Sequence, residues 1–483
     1  MKTKNALLVY LLGFFFIFFL GAAPSFSATP PNELTKRIDG ILGKPGLKKV
    51  LFSACIVRSE TGEIVYQKNA RLALIPASNM KIVTSAAALE HLGPDFAFVT
   101  RVGLCGDSLA VIGSGDPLLG DKEPKARNGR PSPQITQEIA ARLKEMGIAS
   151  VSDILLDTSI FDSQRVHSTW PQNQLNQKYA CEVSGLNYMD NCVEITAVNR
   201  GGKVVLSVDP PTDYVRLINA VTTGWGRKSW FSVDRTGTPC DILVQGNCRT
   251  QAGPYAVAVE NPALFFGRLL QEELLKAGIR VSGQVIERPL PADAEFGPVT
   301  EFTTPMRDCL QRINKDSLGL AAEALFKTLG ARANPDGKRG SWEGGRKALS
   351  EYVRGLGVGD REFVIADGSG LSRDNRISAN ALTHVLIHLS SNPYWNVFQG
   401  SLAVGGLDGT IENHFWEPQY RGRVLAKSGY IRAVRALSGV VRTSSGQYIF
   451  SFIANKAGNG ARSAIDNSVK ALMDWAARTT ANP

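Results

Sequence analysis

Ser78 and Lys81 stand three residues apart in Pro76-Ala-Ser-Asn-Met-Lys81, directly ahead of a run rich in Ala, Ile and Leu that continues to Glu90. That composition predicts a helix with Ser78 in its first turn. Residues three apart share a helix face, so the spacing sets the serine hydroxyl beside the lysine amine. A serine hydroxyl attacks a carbonyl when a neighbouring base takes its proton, and a neutral lysine can do so. Free N–H groups at the helix start lie where an oxyanion would form. The chemistry this predicts is acyl transfer through a serine ester. Ser-x-x-Lys also occurs by chance on solvated helix faces, so its meaning depends on partners elsewhere. Taken singly, Ser317 reads as a cap for the helix starting near Leu320, and Lys427 as a solvated strand end. Asp367 and Asp408 read as turn residues that brace loops.

The elements that must position these groups are legible in outline. Val50 to Val57 and Ile64 to Tyr66 flank Gly62 as a hairpin, which delivers the Ser78 helix. From about residue 98 to 292, short β-like runs alternate with Pro-, Gly- and Asn-rich turns, and Gln134 to Met146 and Ala263 to Ala277 have helical periodicity. This stretch reads as an insert of one or two nested β-rich subdomains ending at the return Pro289 to Pro298. Helical texture resumes after Thr303. Val424 to Lys427 forms a strand ending at Ser428-Gly429, and Ala436 to Thr443 with Tyr448 to Ala454 a second hairpin. An amphipathic helix, Ala464 to Arg478, closes the chain. The fold class is α+β: a five-stranded antiparallel sheet from three C-terminal strands and the N-terminal hairpin, flanked by the first and last helices, with a helical lobe alongside. The domain expectation is 28–97 with 293–483 as one domain and 98–292 inserted.

The 483 residues, 43% of them hydrophobic, suffice for two or three full-sized cores. Lys2 and Lys4, the apolar run Ala6 to Ala23, and the small residues Ser25 and Ser27 read as a signal peptide over residues 1–27, and hence as export. Left uncleaved, that segment is nearly long enough to anchor the chain in a membrane. The formal net charge of +10 is scattered, apart from a modest cluster at Lys122 to Arg130, and suits anionic cell-envelope polymers. No module for nucleic acid is recognisable. Seven cysteines fit an oxidising compartment; Cys181 with Cys192 and Cys240 with Cys248 are local candidates for pairing, and connectivity stays open. His384 and His388, four apart, lack an adjacent acid or third ligand and read as ordinary helix residues.

Taken together and in order, Ser78-x-x-Lys81, Ser317-Leu318-Gly319 and Lys427-Ser428-Gly429 resemble the three motifs of the penicillin-recognising serine acyl-transferases. The match is closest to the class C low-molecular-mass penicillin-binding proteins, the D-alanyl-D-alanine carboxypeptidase/endopeptidase family. Gly115-Asp-Pro117, Ile313-Asn-Lys-Asp-Ser317, Asp367-Gly-Ser-Gly-Leu-Ser-Arg373 and Gly406-Leu-Asp-Gly-Thr-Ile411 look like its signatures too, as does the long insert. The resemblance implies a penicillin-binding, transpeptidase-like domain in the periplasm and a peptidoglycan stem peptide as substrate. It implies β-lactams as covalent inhibitors, and neither metal nor organic cofactor. It assigns Ser78 as nucleophile and Lys81 as general base, with the Lys427 cation lowering the Lys81 pKa. Ser317 becomes the proton donor to the leaving amine, and Lys427 and Ser428 the holders of the terminal carboxylate. The N–H groups of Ser78 and Tyr430, which follows Gly429, become the oxyanion hole.

One position departs from the pattern. The family's second motif is Ser-x-Asn, and Gly319 occupies the Asn place; the missing amide removes two or three hydrogen bonds of roughly 0.5–1.5 kcal/mol each. The alternative reading is therefore a catalytically weakened peptidoglycan-binding or scaffold homologue. A third, β-lactamase activity, needs a water-activating carboxylate near Ser78 that the sequence does not place.

Overall fold

The computed structural model describes residues 32–123, 134–224, 229–291, 293–333 and 339–479. The signal-peptide expectation and most of the basic cluster lie outside these residues. No described helix is long and apolar enough to cross a membrane.

The central sheet is antiparallel, in the order Ala403–Val404, Val424–Ile431, Val434–Thr443, Gly446–Asn455, Leu51–Arg58, Ile64–Lys68. Five of these strands are those read from the sequence; the sixth, Ala403–Val404, is a two-residue edge strand too short to carry a period. Period-two alternation sorts the side chains. On Gly446–Asn455, Phe450, Phe452 and Ala454 face the terminal helices Asn32–Leu42 and Ala461–Thr479, sharing a core with Leu34, Ile38, Ile465 and Leu472. Ile449 and Ile453 face the other way, into the core of the helical lobe. There the helix Met80–Leu92 is buried almost throughout, packed by Met306–Asn314, Gly319–Arg332, Trp342–Gly355 and Ala379–Ser390.

Among the described residues, four further sheets lie between the first and second motifs, the smallest a pairing of Ser150–Val151 with Arg280–Val281. A mixed five-stranded sheet runs Val285–Glu287, Ile154–Asp157, Ser108–Ile112, Ala97–Cys105, Gly297–Pro305, with the helices Ile135–Glu145 and Pro262–Lys276 sharing its core. Two three-stranded sheets follow, one from Cys192–Arg200, Lys203–Asp209 and Gln251–Ala258, the other from Arg216–Thr222, Trp230–Arg235 and Asp241–Asn247. Phe161, Trp170, Cys181 and Val183, from the same stretch, are buried in the core of the helical lobe. All seven cysteines are free thiols, so neither Cys181 with Cys192 nor Cys240 with Cys248 is bridged.

Candidate active site

Ser78 occupies a 3₁₀ turn, Ala77–Asn79, just ahead of the helix Met80–Leu92 that carries Lys81, rather than the helix's own first turn. Three residues still place both on one face: Lys81 Nζ lies 3.2 Å from Ser78 Oγ. The turn is pinned to the sheet by Asn79, whose amide donates to Ser438 Oγ at 2.6 Å. Ala77 has a positive φ of 48°, unusual for a residue with a Cβ. The Lys81 amine is buried and donates to the carbonyl of Ser369 at 2.8 Å.

Ser317 does not cap its helix. The cap position of Gly319–Arg332 falls to Leu318, and Ser317 sits in the left-handed region at φ 62°. A non-glycine residue held there costs of order 1–3 kcal/mol, tolerated where its surroundings over-determine it. Here they do: Leu318 N–H donates to Arg312 O at 2.9 Å, and Lys427 Nζ donates to Ser317 Oγ at 2.9 Å. Lys427 is fully buried and also donates to the carbonyl of Ser428, so it is no solvated strand end.

Nor does its strand stop at Ser428-Gly429. It continues to Ile431, pairing Gly429 with Ala436 and Tyr430 with Arg435, because the turn is made later, where Ala433 takes a φ of 61°. The Lys-Ser-Gly triplet is thus held mid-strand beside the Ser78 turn. A Cβ on Gly429 would come 2.7 Å from the Pro76 carbonyl, so this close approach needs glycine. Ser428 Oγ donates to Thr410 Oγ1 at 2.7 Å. The Tyr430 ring is exposed, with the Arg435 guanidinium 4.0 Å from its centroid.

The result is a site with two buried amines, Lys81 and Lys427, and three half-buried hydroxyls, those of Ser78, Ser317 and Ser428. Burial pulls Lys81 down to about 8, opposed by the carboxylates of Glu323 and Asp367. The lowering expected from the Lys427 cation is thus supplied by desolvation. Lys427 is itself held well below the usual lysine value, by burial first and the Lys81 cation second.

Four participants escaped the sequence reading. Ser369 lies in the Asp367-Gly-Ser-Gly loop, where only the turn was noticed; Asp367 braces that loop, accepting from Gly370, Ser372, Asn375 and Trp170. Glu323 hides in a run of helix formers. Asn79 and Thr410 lie inside motifs whose pattern alone gives them no role. A Cβ at Gly319 would meet the Tyr179 carbonyl at 3.1 Å, so the insert's backbone fills part of the space an Asn needs.

Residues 34–478 match the D-Ala-D-Ala carboxypeptidase 3 (S13) family. The chain is 31% identical to the D-alanyl-D-alanine carboxypeptidase of Actinomadura sp. strain R39, over 93% of its own length and 86% of that protein's. It is 24% identical to the D-alanyl-D-alanine carboxypeptidase DacB of Haemophilus influenzae, over 91% and 90%. The crystal structure of penicillin binding protein 4 from Haemophilus influenzae shares its fold, with a TM-score of 0.76 at 22% identity, covering 91% of this chain and 99% of that one. The chain belongs to the D-Ala-D-Ala carboxypeptidase 3 (S13) family of serine peptidases.

Proposed function

We propose that this protein hydrolyses the terminal D-Ala-D-Ala bond of peptidoglycan stem peptides, with endopeptidase action on cross-links, and is acylated by β-lactams at Ser78. The observation that carries the reading is that three distant stretches of chain meet: Lys81 lies on Ser78, Lys427 on Ser317, and the Lys427-Ser428-Gly429 strand packs against the Ser78 turn at Pro76. In its neutral form Lys81 takes the Ser78 proton as Oγ bonds to the penultimate D-Ala carbonyl carbon. The N–H groups of Ser78 and Tyr430 receive the oxyanion. Collapse expels the D-Ala amine, protonated by way of Ser317, and water then cleaves the ester. Lys427 and Ser428 hold the terminal carboxylate, which the cation's charge favours.

The protein is proposed to act as an exported, periplasmic enzyme of the bacterial cell envelope, bound to membrane only where its N-terminal segment is retained. We also propose the insert as a separate unit. Its own sheets and largely separate core support this, although the strand Gly297–Pro305 carries the insert's sheet beyond residue 292.

The test is covalent labelling by a fluorescent penicillin, with Ser78→Ala as control. Wild type should label and the variant should not; absence of Ser78-dependent label after long incubation defeats the reading. A second reading, a weakened peptidoglycan-binding homologue, is favoured by Gly319 alone. D-Ala release by wild type as fast as by Gly319→Asn eliminates it.

A further inference from the structure

Glu323 is a buried acid in a helix where burial is nearly complete: Leu320, Ala321, Ala322, Ala324, Leu325 and Phe326 around it are all buried. A carboxylate in such a place costs several kcal/mol unless donors are supplied. Three N–H groups supply them. Trp342 Nε1 donates to Glu323 at 2.8 Å, Gly368 N at 3.1 Å and Ser369 N at 2.7 Å. All three are donors and none can accept, so the site is built for the anion. Residue 369 is bound from both sides, since its N–H points to Glu323 and its carbonyl receives the Lys81 amine at 2.8 Å.

The loop carrying Ser369 is wedged between the two motif-bearing helices. A Cβ on Gly368 would come 2.9 Å from the Ala322 carbonyl, and one on Gly370, at φ 81°, 1.9 Å from the Ala77 carbonyl. Thr84 Oγ1, from the Lys81 helix, donates to Gly368 O at 2.8 Å. Lys81 Nζ has two hydrogen-bond partners, Ser78 Oγ and Ser369 O, and Gly319 has no side chain to offer it. We propose that Glu323 is a positioning residue that, through the Gly368–Ser369 backbone, holds the Lys81 amine at Ser78 in place of a side chain at position 319.

Charge supports the geometry. The Glu323 anion raises the affinity of Lys81 for its proton, against burial, as does Asp367 from the loop. Lys327, one turn further along the same helix, and Asp367 are the charged groups facing Glu323 besides Lys81; Lys427 faces Lys81 from the sheet. Burial and Asp367 push Glu323 up to about 7, while the three donors favour its ionised form. Glu323→Gln keeps the size, removes the charge and leaves one oxygen for three donors.

The inference rests on the acyl-enzyme reading above, and its test separates the two. Penicillin acylation rates are followed from pH 6 to 10 for wild type, Glu323→Gln, Glu323→Asp and Glu323→Gln with Gly319→Asn, each checked by thermal melting. For Glu323→Gln the plateau rate should fall about ten-fold or more, and the ascending limb should move to lower pH by roughly half a unit or more. A merely structural role leaves the limb where it is, so an unmoved limb, or a plateau within about two-fold of wild type, overturns the proposal. Gly319→Asn added to Glu323→Gln should recover part of the rate; no recovery, in a double variant whose crystal structure shows the introduced amide within hydrogen-bond reach of Lys81, overturns the claim about position 319. Should Glu323→Gln fail to fold, Glu323→Asp decides: it keeps the charge, so its limb should match wild type while its plateau falls, and a shifted limb or full plateau counts against. A crystal structure of the glutamine variant should find the Ser369 carbonyl out of hydrogen-bond reach of Lys81, and a retained contact overturns the proposal. Were wild type not acylated at all, the acyl-enzyme reading would fall and the crystallographic distance would still decide this one.

Discussion

The side-chain nitrogen of Lys427 lies 2.9 Å from the hydroxyl of Ser317, across 110 residues of sequence. Neither residue is in an ordinary state: Lys427 is fully buried and Ser317 has a left-handed backbone. Each makes sense only with the other, the buried cation needing an acceptor and the strained serine needing a reason to be held.

Ser317→Ala should therefore weaken both folding and turnover. Leaving the buried Lys427 amine short of an acceptor costs about 1–3 kcal/mol, read as a drop in melting temperature. D-Ala release should fall about 10²-fold or more, because proton delivery to the leaving amine is lost. Equal D-Ala release by variant and wild type would remove Ser317 from the mechanism.

The depressed Lys81 gives a pH prediction. The amine must be neutral to take the Ser78 proton, and its neutral fraction rises with pH up to the folded value of about 8. Acylation by penicillin should climb about ten-fold per pH unit below that point and level off above it. The sign for stability follows from the same lowering. Between about 8 and the ordinary lysine value of 10.5 the unfolded chain binds the extra proton, so stability rises with pH across that window. A rate flat from pH 6 to 9 would contradict a base of this kind.

How far the sequence could be read depended on distance along the chain. Ser78 and Lys81 were legible because three residues of helical geometry settle their meeting. The five long strands were legible from their apolar periods, whereas Ala403–Val404 is too short to have one. Taken singly Ser317 suggests a cap, and only the set of three motifs gives it a role, because its left-handed conformation and its bond to Lys427 depend on contacts that no local pattern reveals. Glu323 looked like one more helix former because its donors come from Trp342 and from the loop at 368–369, elements brought to it only by folding.

Gly429 predicts a steric outcome. In Gly429→Ala the new methyl would lie 2.7 Å from the Pro76 carbonyl and 3.1 Å from Ala436 Cβ, both parts of well-packed backbone or strand. The Ser78 turn has to move away from the strand, at about 1–3 kcal/mol of overpacking. Since the N–H groups of Ser78 and Tyr430 must converge on one oxyanion, penicillin acylation should fall about 10²-fold or more, while the protein still melts cooperatively. Acylation at the wild-type rate would mean the two elements need not touch.

Arg312 predicts a pH-dependent stability change. Its buried guanidinium reaches Asp121 at 2.7 Å, Asp316 at 2.8 Å and Asp190 at 3.3 Å, tying the helix Met306–Asn314 to two loops of the inserted stretch. Arg312→Met takes the guanidinium from the buried Asp121 and leaves Asp190 with Lys178, at 2.5 Å, a change that costs about 3–5 kcal/mol at neutral pH. Burial and the Asp190 charge already hold Asp121 above the usual carboxylate range, and Arg312 is the cation that opposes them. Without it, Asp121 rises further and the folded variant takes up a proton that the unfolded chain does not, so the lost stability returns as pH falls towards 5. Thermal melts of wild type and variant at pH 7.5 and pH 5 measure this directly. The difference in melting temperature should narrow at the lower pH; an equal gap at both would place the cost in lost packing of the arginine stem rather than in the stranded acids.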